Sequence, residues 1–200
     1  MIDGLIQKHL IQNVPDENVA VLLSGGLDSF SLAVSAHRVG KKVFAYTFTV
    51  DGVETRDSRD ATRFAEVFGW EIKVVDVKTE NLVETYKHLL RKYFCFRKTQ
   101  IECVFPFLSV FPVIEEKYVL SGWGADGWYG IGDKTKRLRN HKEKFDEKRQ
   151  DYFIPNGGGG FLQMERLAKE HNKVFVAPYV TDERIQTYFL SKDYYQLNDG

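Results

Sequence analysis

The stretch Asn18-Val-Ala-Val-Leu-Leu23, followed at once by Ser24-Gly-Gly-Leu-Asp-Ser29, decides how this chain is read. An unbroken apolar run of that length is a strand covered on both faces. Behind it, residues 30–39 space their apolar side chains as a helix does, and Gly40 ends it. Between strand and helix, Gly25 and Gly26 let the backbone turn sharply while Ser24 and Ser29 add hydroxyls. The helix aims the positive end of its dipole at the same place. That combination binds oxyanions, phosphate above all. Asp28 is the odd member, because a carboxylate beside phosphate is repulsive unless a cation lies between them. Mg²⁺ shared by Asp28 and polyphosphate oxygens resolves the conflict. The two commonest nucleotide loops, Gly-x-x-x-x-Gly-Lys-Ser/Thr and Gly-x-Gly-x-x-Gly, are both absent.

Outward from this unit the rhythm repeats. Residues 42–50 and 70–77 read as strands, 59–68 and 81–93 as helices, with Gly69 closing the first of these. Residues 99–116 read as helix interrupted at Pro106 and Pro112, and 118–121 as a short strand. An amphipathic helix runs to Pro15. Later come a helix over 161–171, a strand at 174–177 and a short helix at 183–190, while the polar tail 194–200 has no assignment. Alternation of this kind predicts an α/β fold: three layers, a mostly parallel sheet of about five strands, and helices on both faces. After the fourth strand stands a second glycine-rich element, Ser121-Gly-Trp-Gly-Ala-Asp-Gly-Trp-Tyr-Gly130. Loops that follow parallel strands emerge at one edge, so Asp126 is expected beside Asp28 on the same cation.

Two hundred residues, 43% of them apolar, suffice for one domain with a real core. The expected division is a core over 18–130, a basic and partly flexible region over 131–160, and a C-terminal helical segment over 161–200. Twenty-eight Lys and Arg against 28 Asp and Glu exclude a globally basic nucleic-acid binder. Locally, Lys134, Lys136, Arg137, Arg139, Lys142, Lys144, Lys148 and Arg149 outnumber the acidic residues around them. That stretch reads as a charged loop or a lid over nucleotide, with RNA the less favoured partner. Gly157 to Gly160 reads as a hinge. Cys95 and Cys103 sit among aromatics and read as buried free thiols in a reducing compartment. His9, His37, His88, His141 and His171 show no zinc spacing. Arg97 and Lys98 read as an anion contact or a solvated helix start, and Tyr188, Phe189, Tyr194 and Tyr195 as an aromatic patch for a partner or a homodimer. No apolar run is long enough to span a membrane, so a cytoplasmic protein is expected.

Ser24-Gly-Gly-Leu-Asp-Ser29 resembles the pyrophosphate loop of the PP-loop ATP pyrophosphatase superfamily, whose fold is HUP-like (adenine nucleotide alpha-hydrolase-like). Ser121-Gly-Trp-Gly-Ala-Asp126 resembles the second signature of the asparagine synthetase synthetase domain, and Val176-Ala-Pro-Tyr-Val-Thr-Asp182 its Arg-x-Pro-Phe-Leu-Asp. The resemblance implies that ATP adenylates a carboxylate, releasing pyrophosphate, and that ammonia or an amine then displaces AMP. It further implies that Ser24, Gly25, Gly26 and Ser29 hold the pyrophosphate, with Leu27 in the same nucleotide-binding loop, that Asp28 and Asp126 hold Mg²⁺, and that the backbone around Val21 to Leu23 and Tyr46 to Phe48 lies near the adenosine. Gly122 and Trp123 would border the acyl-adenylate. The sequence departs from the family at Trp123, where Glu or Tyr is usual, and at Gly127, where Glu is usual. The family's late Lys has no clear equivalent, and Lys134 or Lys136 is the expected substitute. With no glutaminase segment in view, the nitrogen is expected from free ammonia, an amine or a nitrogen-supplying partner. A nucleobase- or tRNA-modifying PP-loop enzyme and a catalytically degenerate nucleotide-binding subunit are the alternatives.

Overall fold

The computed structural model describes residues 2–151 and 159–198. Helix α1 (Ile2–Asn13) leads into β1 (Asn18–Leu22), α2 (Leu27–Arg38), β2 (Lys42–Val50), α3 (Arg56–Phe68), β3 (Glu71–Val77) and α4 (Leu82–Lys92). Two short helices follow, α5 (Lys98–Val104) and α6 (Phe107–Val110), then β4 (Tyr118–Leu120), α7 (Ala125–Tyr129), α8 (Asp133–Lys136) and α9 (Lys142–Asp151). The chain resumes with α10 (Phe161–Glu170), β5 (Val174–Val176), α11 (Pro178–Thr181), α12 (Glu183–Leu190) and α13 (Tyr194–Asn198). Gly157 and Gly158 of the expected hinge, and the last two residues of the tail, lie outside the described residues.

The five strands form one wholly parallel sheet in the order β3-β2-β1-β4-β5. Successive side chains of a strand point to opposite faces, and β1 shows this directly. Val19, Val21 and Leu23 enter a core with Ile6, Leu10, Leu32, Ala61 and Ile185, beneath α1, α2, α3 and α12. Ala20 and Leu22 enter the other core with Leu89, Val104, Val110 and Leu167, beneath α4, α5, α6 and α10. The chain winds outward from β1 to β3, then crosses back to lay β4 on the other side of β1. The order in which strands are added therefore reverses between β1 and β4, and a crevice opens there beyond the strand ends.

Two helices begin earlier than the apolar spacing predicts. Helix α3 starts at Arg56, because Thr55 and Ser58 form a reciprocal capping box, each side chain bonding the other's backbone N–H. Helix α2 starts at Leu27, which places Asp28 and Ser29 in its first turn. The basic stretch carries helices α8 and α9. Within it, α9 buries Phe145 and Arg149 on one face, four residues apart.

Candidate active site

The glycine-serine loop is closed on itself. Ser29 Oγ donates to Gly26 O at 3.1 Å and accepts from Ser24 N–H at 3.1 Å. Since its proton is committed, Ser24 Oγ, also 3.1 Å away, is the donor of that pair. Gly26 precedes α2 without a side-chain cap, so the first-turn N–H groups of a twelve-residue helix point outward unsatisfied by any side chain. Gly25 adopts φ +71° and lies so close to α3 that a Cβ there would fall 2.6 Å from Asp57 O. Only glycine meets both demands.

The second glycine element closes on the first. A Cβ at Gly122 would stand 2.6 Å from the Asp28 carbonyl carbon and 2.7 Å from Ser29 N. Gly124 then takes φ +88° and starts α7, whose first turn carries Asp126. Asp28 and Asp126 are thereby brought together across the crevice. Burial pushes the Asp28 carboxyl up to about 6, and the negative charge of Asp126 adds to that rise, while the Asp126 backbone N–H opposes it. A like-charged pair of oxygen donors, Asp28 partly buried and Asp126 exposed, beside free helix N–H groups suits a hard divalent cation carrying phosphate oxygens.

The pair lines a cleft of about 340 Å³ with Ser24, Ser29, Phe48, Gly122, Trp123, Cys103, Phe107 and Glu102. Phe48 and Phe107 meet edge to face with centroids 5.9 Å apart, giving an apolar wall of the kind a purine stacks against. Trp123 packs edge-on against Phe175. A second cavity, about 720 Å³ and mainly apolar, lies along α2 between Gly26, Leu27, Phe30, Val34, Tyr129 and Leu197, and Asp28 borders both.

The remaining expected residues stand elsewhere. Leu23 is buried in the core, contributing only its N–H, which donates to Tyr46 O at 2.8 Å. The Tyr46 side chain is buried below Phe48, its hydroxyl donating to Glu116 at 2.8 Å, and it does not reach the cleft. Leu27 is 80% exposed beside the second cavity. Lys134 and Lys136 sit in the short helix α8, outside the cleft lining. Arg97 and Lys98 are exposed at the start of α5, where buried Gln100 accepts from the N–H groups of Phe96 and Arg97. The late aromatics are largely covered by their own chain: Phe189 stacks on Trp128, and Tyr194 packs against Phe145. Cys95 is a core thiol, but Cys103 is half-buried in the cleft wall, a correction to its reading as core. Both are free. Glu102, Pro106 and Phe107 were legible as helix but not as site, since no motif marks them.

Helix α7 is held from behind. Trp128 Nε1–H donates to Tyr179 O at 2.6 Å, and its carbonyl accepts from Arg149 at 2.9 Å. Arg149, fully buried, also donates to the carbonyls of Phe189 and Lys192, pairs with Asp146, and lies over the Phe145 ring at 4.3 Å. One guanidinium thus caps the C-terminal ends of α7 and α12 together.

A parallel sheet whose strand order reverses at β1 and β4, with an uncapped Ser-Gly-Gly-Leu-Asp-Ser turn and a facing aspartate at the reversal, defines an α/β domain of the PP-loop type. The asparagine synthase family model matches residues 5–194, and the chain belongs to that family. Enzymes of the family use ATP. Among solved structures, a protein described as a predicted subunit of tRNA methyltransferase from Methanocaldococcus jannaschii aligns over 88% of this chain and 75% of its own, at 14% identity and TM-score 0.46. NMN synthetase from Francisella tularensis aligns over 88% of this chain and 95% of its own, at 14% identity and TM-score 0.41. No curated protein matches. Among the described residues, no helix is long and apolar enough to cross a membrane.

Proposed function

We propose that this protein is an ATP-dependent amidoligase that forms AMP and pyrophosphate, adenylating a carboxylic acid for attack by ammonia or an amine. The observation that carries the reading is the meeting of Asp28 and Asp126 at the open N-terminus of α2. Two carboxylates there repel each other and any phosphate unless a divalent cation lies between them; the Asp28 carboxyl is raised chiefly by burial, and the charge of Asp126 adds to the rise.

In this reading Asp28 and Asp126 hold Mg²⁺, which when bound supplies charge neutralisation to the polyphosphate. The backbone N–H groups of residues 26–29 receive the β- and γ-phosphates as they leave together as pyrophosphate. Preorganised donors of this kind stabilise developing charge without reorganising. Phe48 and Phe107 enclose the adenosine, and Gly122, whose missing side chain lets its loop sit directly against the Asp28–Ser29 backbone, borders the acyl-adenylate. The acid's carboxylate oxygen bonds to the α-phosphorus as the bond to pyrophosphate breaks. The amine then bonds to the acyl carbon and gives up a proton, and AMP departs with the electron pair of the cleaved acyl C–O bond of the mixed anhydride.

The test is a mass-resolved assay of the protein with ATP and Mg²⁺ across a panel of carboxylic acids, with ammonium, simple amines, and RNA as separate arms. AMP and pyrophosphate that appear only with one acid and one amine support the reading, and the product mass names both. Turnover dependent on RNA would move the acceptor to a nucleobase. Saturable ATP binding without turnover would favour a subunit that needs a partner.

A further inference from the structure

Attack of an amine on an acyl-adenylate leaves the nitrogen with a proton to lose, and something in the cleft must take it. The candidates are few. Among the described residues that line the cleft, the ionisable ones are Asp28, Asp126, Cys103 and Glu102. Trp123 offers an indole N–H, which donates and cannot accept. Ser24 and Ser29 are bonded to each other, and Ser121 Oγ accepts from Trp123 N–H at 3.3 Å. Asp28 and Asp126 face each other as the oxygen pair for the cation. Cys103 is raised by burial and then by the charges of Glu102 and Asp126, so it stays a thiol with its proton on.

Glu102 remains. It lies on α5, in the wall that also carries Cys103, Pro106 and Phe107, and apart from the two glycine loops that hold the aspartates. Its side chain is 55% exposed, so a proton it accepts passes straight to water. Lys98, one turn earlier, reaches it at 3.4 Å. We propose that Glu102 is the general base of the second half-reaction, taking the proton from the attacking amine. The inference rests on the amidoligase reading. As the C–N bond forms, the N–H proton moves to the Glu102 carboxylate, the C–O bond to AMP breaks, and its electron pair leaves on the AMP phosphate. Glu102 has no part in forming the adenylate, which requires no proton acceptor.

That separation supplies the test. Wild type, Glu102→Gln and Glu102→Asp are each given ATP, Mg²⁺ and a panel of free carboxylic acids, with either ammonium or hydroxylamine as nucleophile. Single-turnover pyrophosphate release reads adenylation, and amide or hydroxamate reads the second step. Hydroxylamine is already unprotonated at neutral pH and a good nucleophile without a base. In Glu102→Gln, pyrophosphate release should be unchanged and amide formation from ammonium should fall on the order of 100-fold, while hydroxamate formation stays near wild type. Glu102→Asp should fall between. Unchanged amide formation in Glu102→Gln would overturn the proposal. So would a joint loss of both half-reactions that hydroxylamine does not rescue. Absence of pyrophosphate from wild type with every acid would overturn the amidoligase reading itself, a result visible without any variant.

Discussion

Gly122 and Asp28 meet backbone to backbone: a Cβ on Gly122 would fall 2.6 Å from the Asp28 carbonyl carbon and 2.8 Å from its oxygen. Neither atom belongs to a flexible side-chain end, so the clash could be relieved only by parting the two loops. Gly122→Ala should therefore destabilise the fold by roughly 1–3 kcal/mol and weaken Mg·ATP binding more than tenfold in calorimetry. Gly132→Ala is the control. A Cβ there meets nothing within 4 Å, and φ is −64°, so both properties should stay at wild-type values.

Asp28 makes the unliganded protein pH-sensitive in a stated direction. Its folded carboxyl lies near 6 against 3.8 for the free side chain. A carboxyl raised in the folded state holds its proton more tightly there than in the unfolded chain. Its contribution to stability is thus greatest below pH 3.8, declines as pH rises to about 6, and is flat beyond. Asp28→Asn should remove that decline and raise stability at neutral pH by about 1–2 kcal/mol, after allowance for partial exposure. The same variant should lose Mg²⁺-dependent ATP turnover. Urea denaturation across pH 3.5–8, with and without the substitution, reads the first effect.

Asp182 behaves oppositely. Hydrogen bonding from Arg184, helped by His9, holds its carboxyl well below the ordinary range, although burial opposes this. The stabilisation is present above pH 3.8 and is lost as the medium becomes more acid. Through these bonds Asp182 joins α1 to α12, so Asp182→Asn should flatten the acid limb of the stability curve and lower the melting temperature at neutral pH.

Arg149 should matter to the site without touching it. Removing its guanidinium by Arg149→Met takes a donor from the carbonyls of Trp128, Phe189 and Lys192 and one of two cationic partners from Asp146. A loss of roughly 2–4 kcal/mol is expected. Because Trp128 belongs to α7, Mg·ATP binding should weaken as well. Arg149→Lys should not restore it, since one ammonium cannot span carbonyls on two helices.

The two glycine elements were legible because each sits between a clean strand and a helix, and the parallel order alone predicts that Asp28 and Asp126 share an edge. The α5–α6 wall was not. Glu102, Cys103 and Phe107 carry no motif, and the aromatic neighbours of Cys103 are what a core segment would show. Their place in the cleft depends on how α6 packs over β2 and β3 and how α5 packs on α4, α6 and α10, tertiary contacts that no local pattern encodes. The basic stretch misled for a related reason. Charge on most of α9 suggests solvent, yet Phe145 and Arg149, four residues apart, turn one narrow face into the support of α7.

The central claim is that an acid's oxygen becomes bonded to the α-phosphorus. It is tested most directly by supplying a carboxylic acid labelled with ¹⁸O in both carboxyl oxygens, together with ATP, Mg²⁺ and ammonium, and weighing the products. The account predicts one labelled oxygen in AMP, none in pyrophosphate, and an amide that retains the other. Label in inorganic phosphate, with ADP as the nucleotide product, would contradict it.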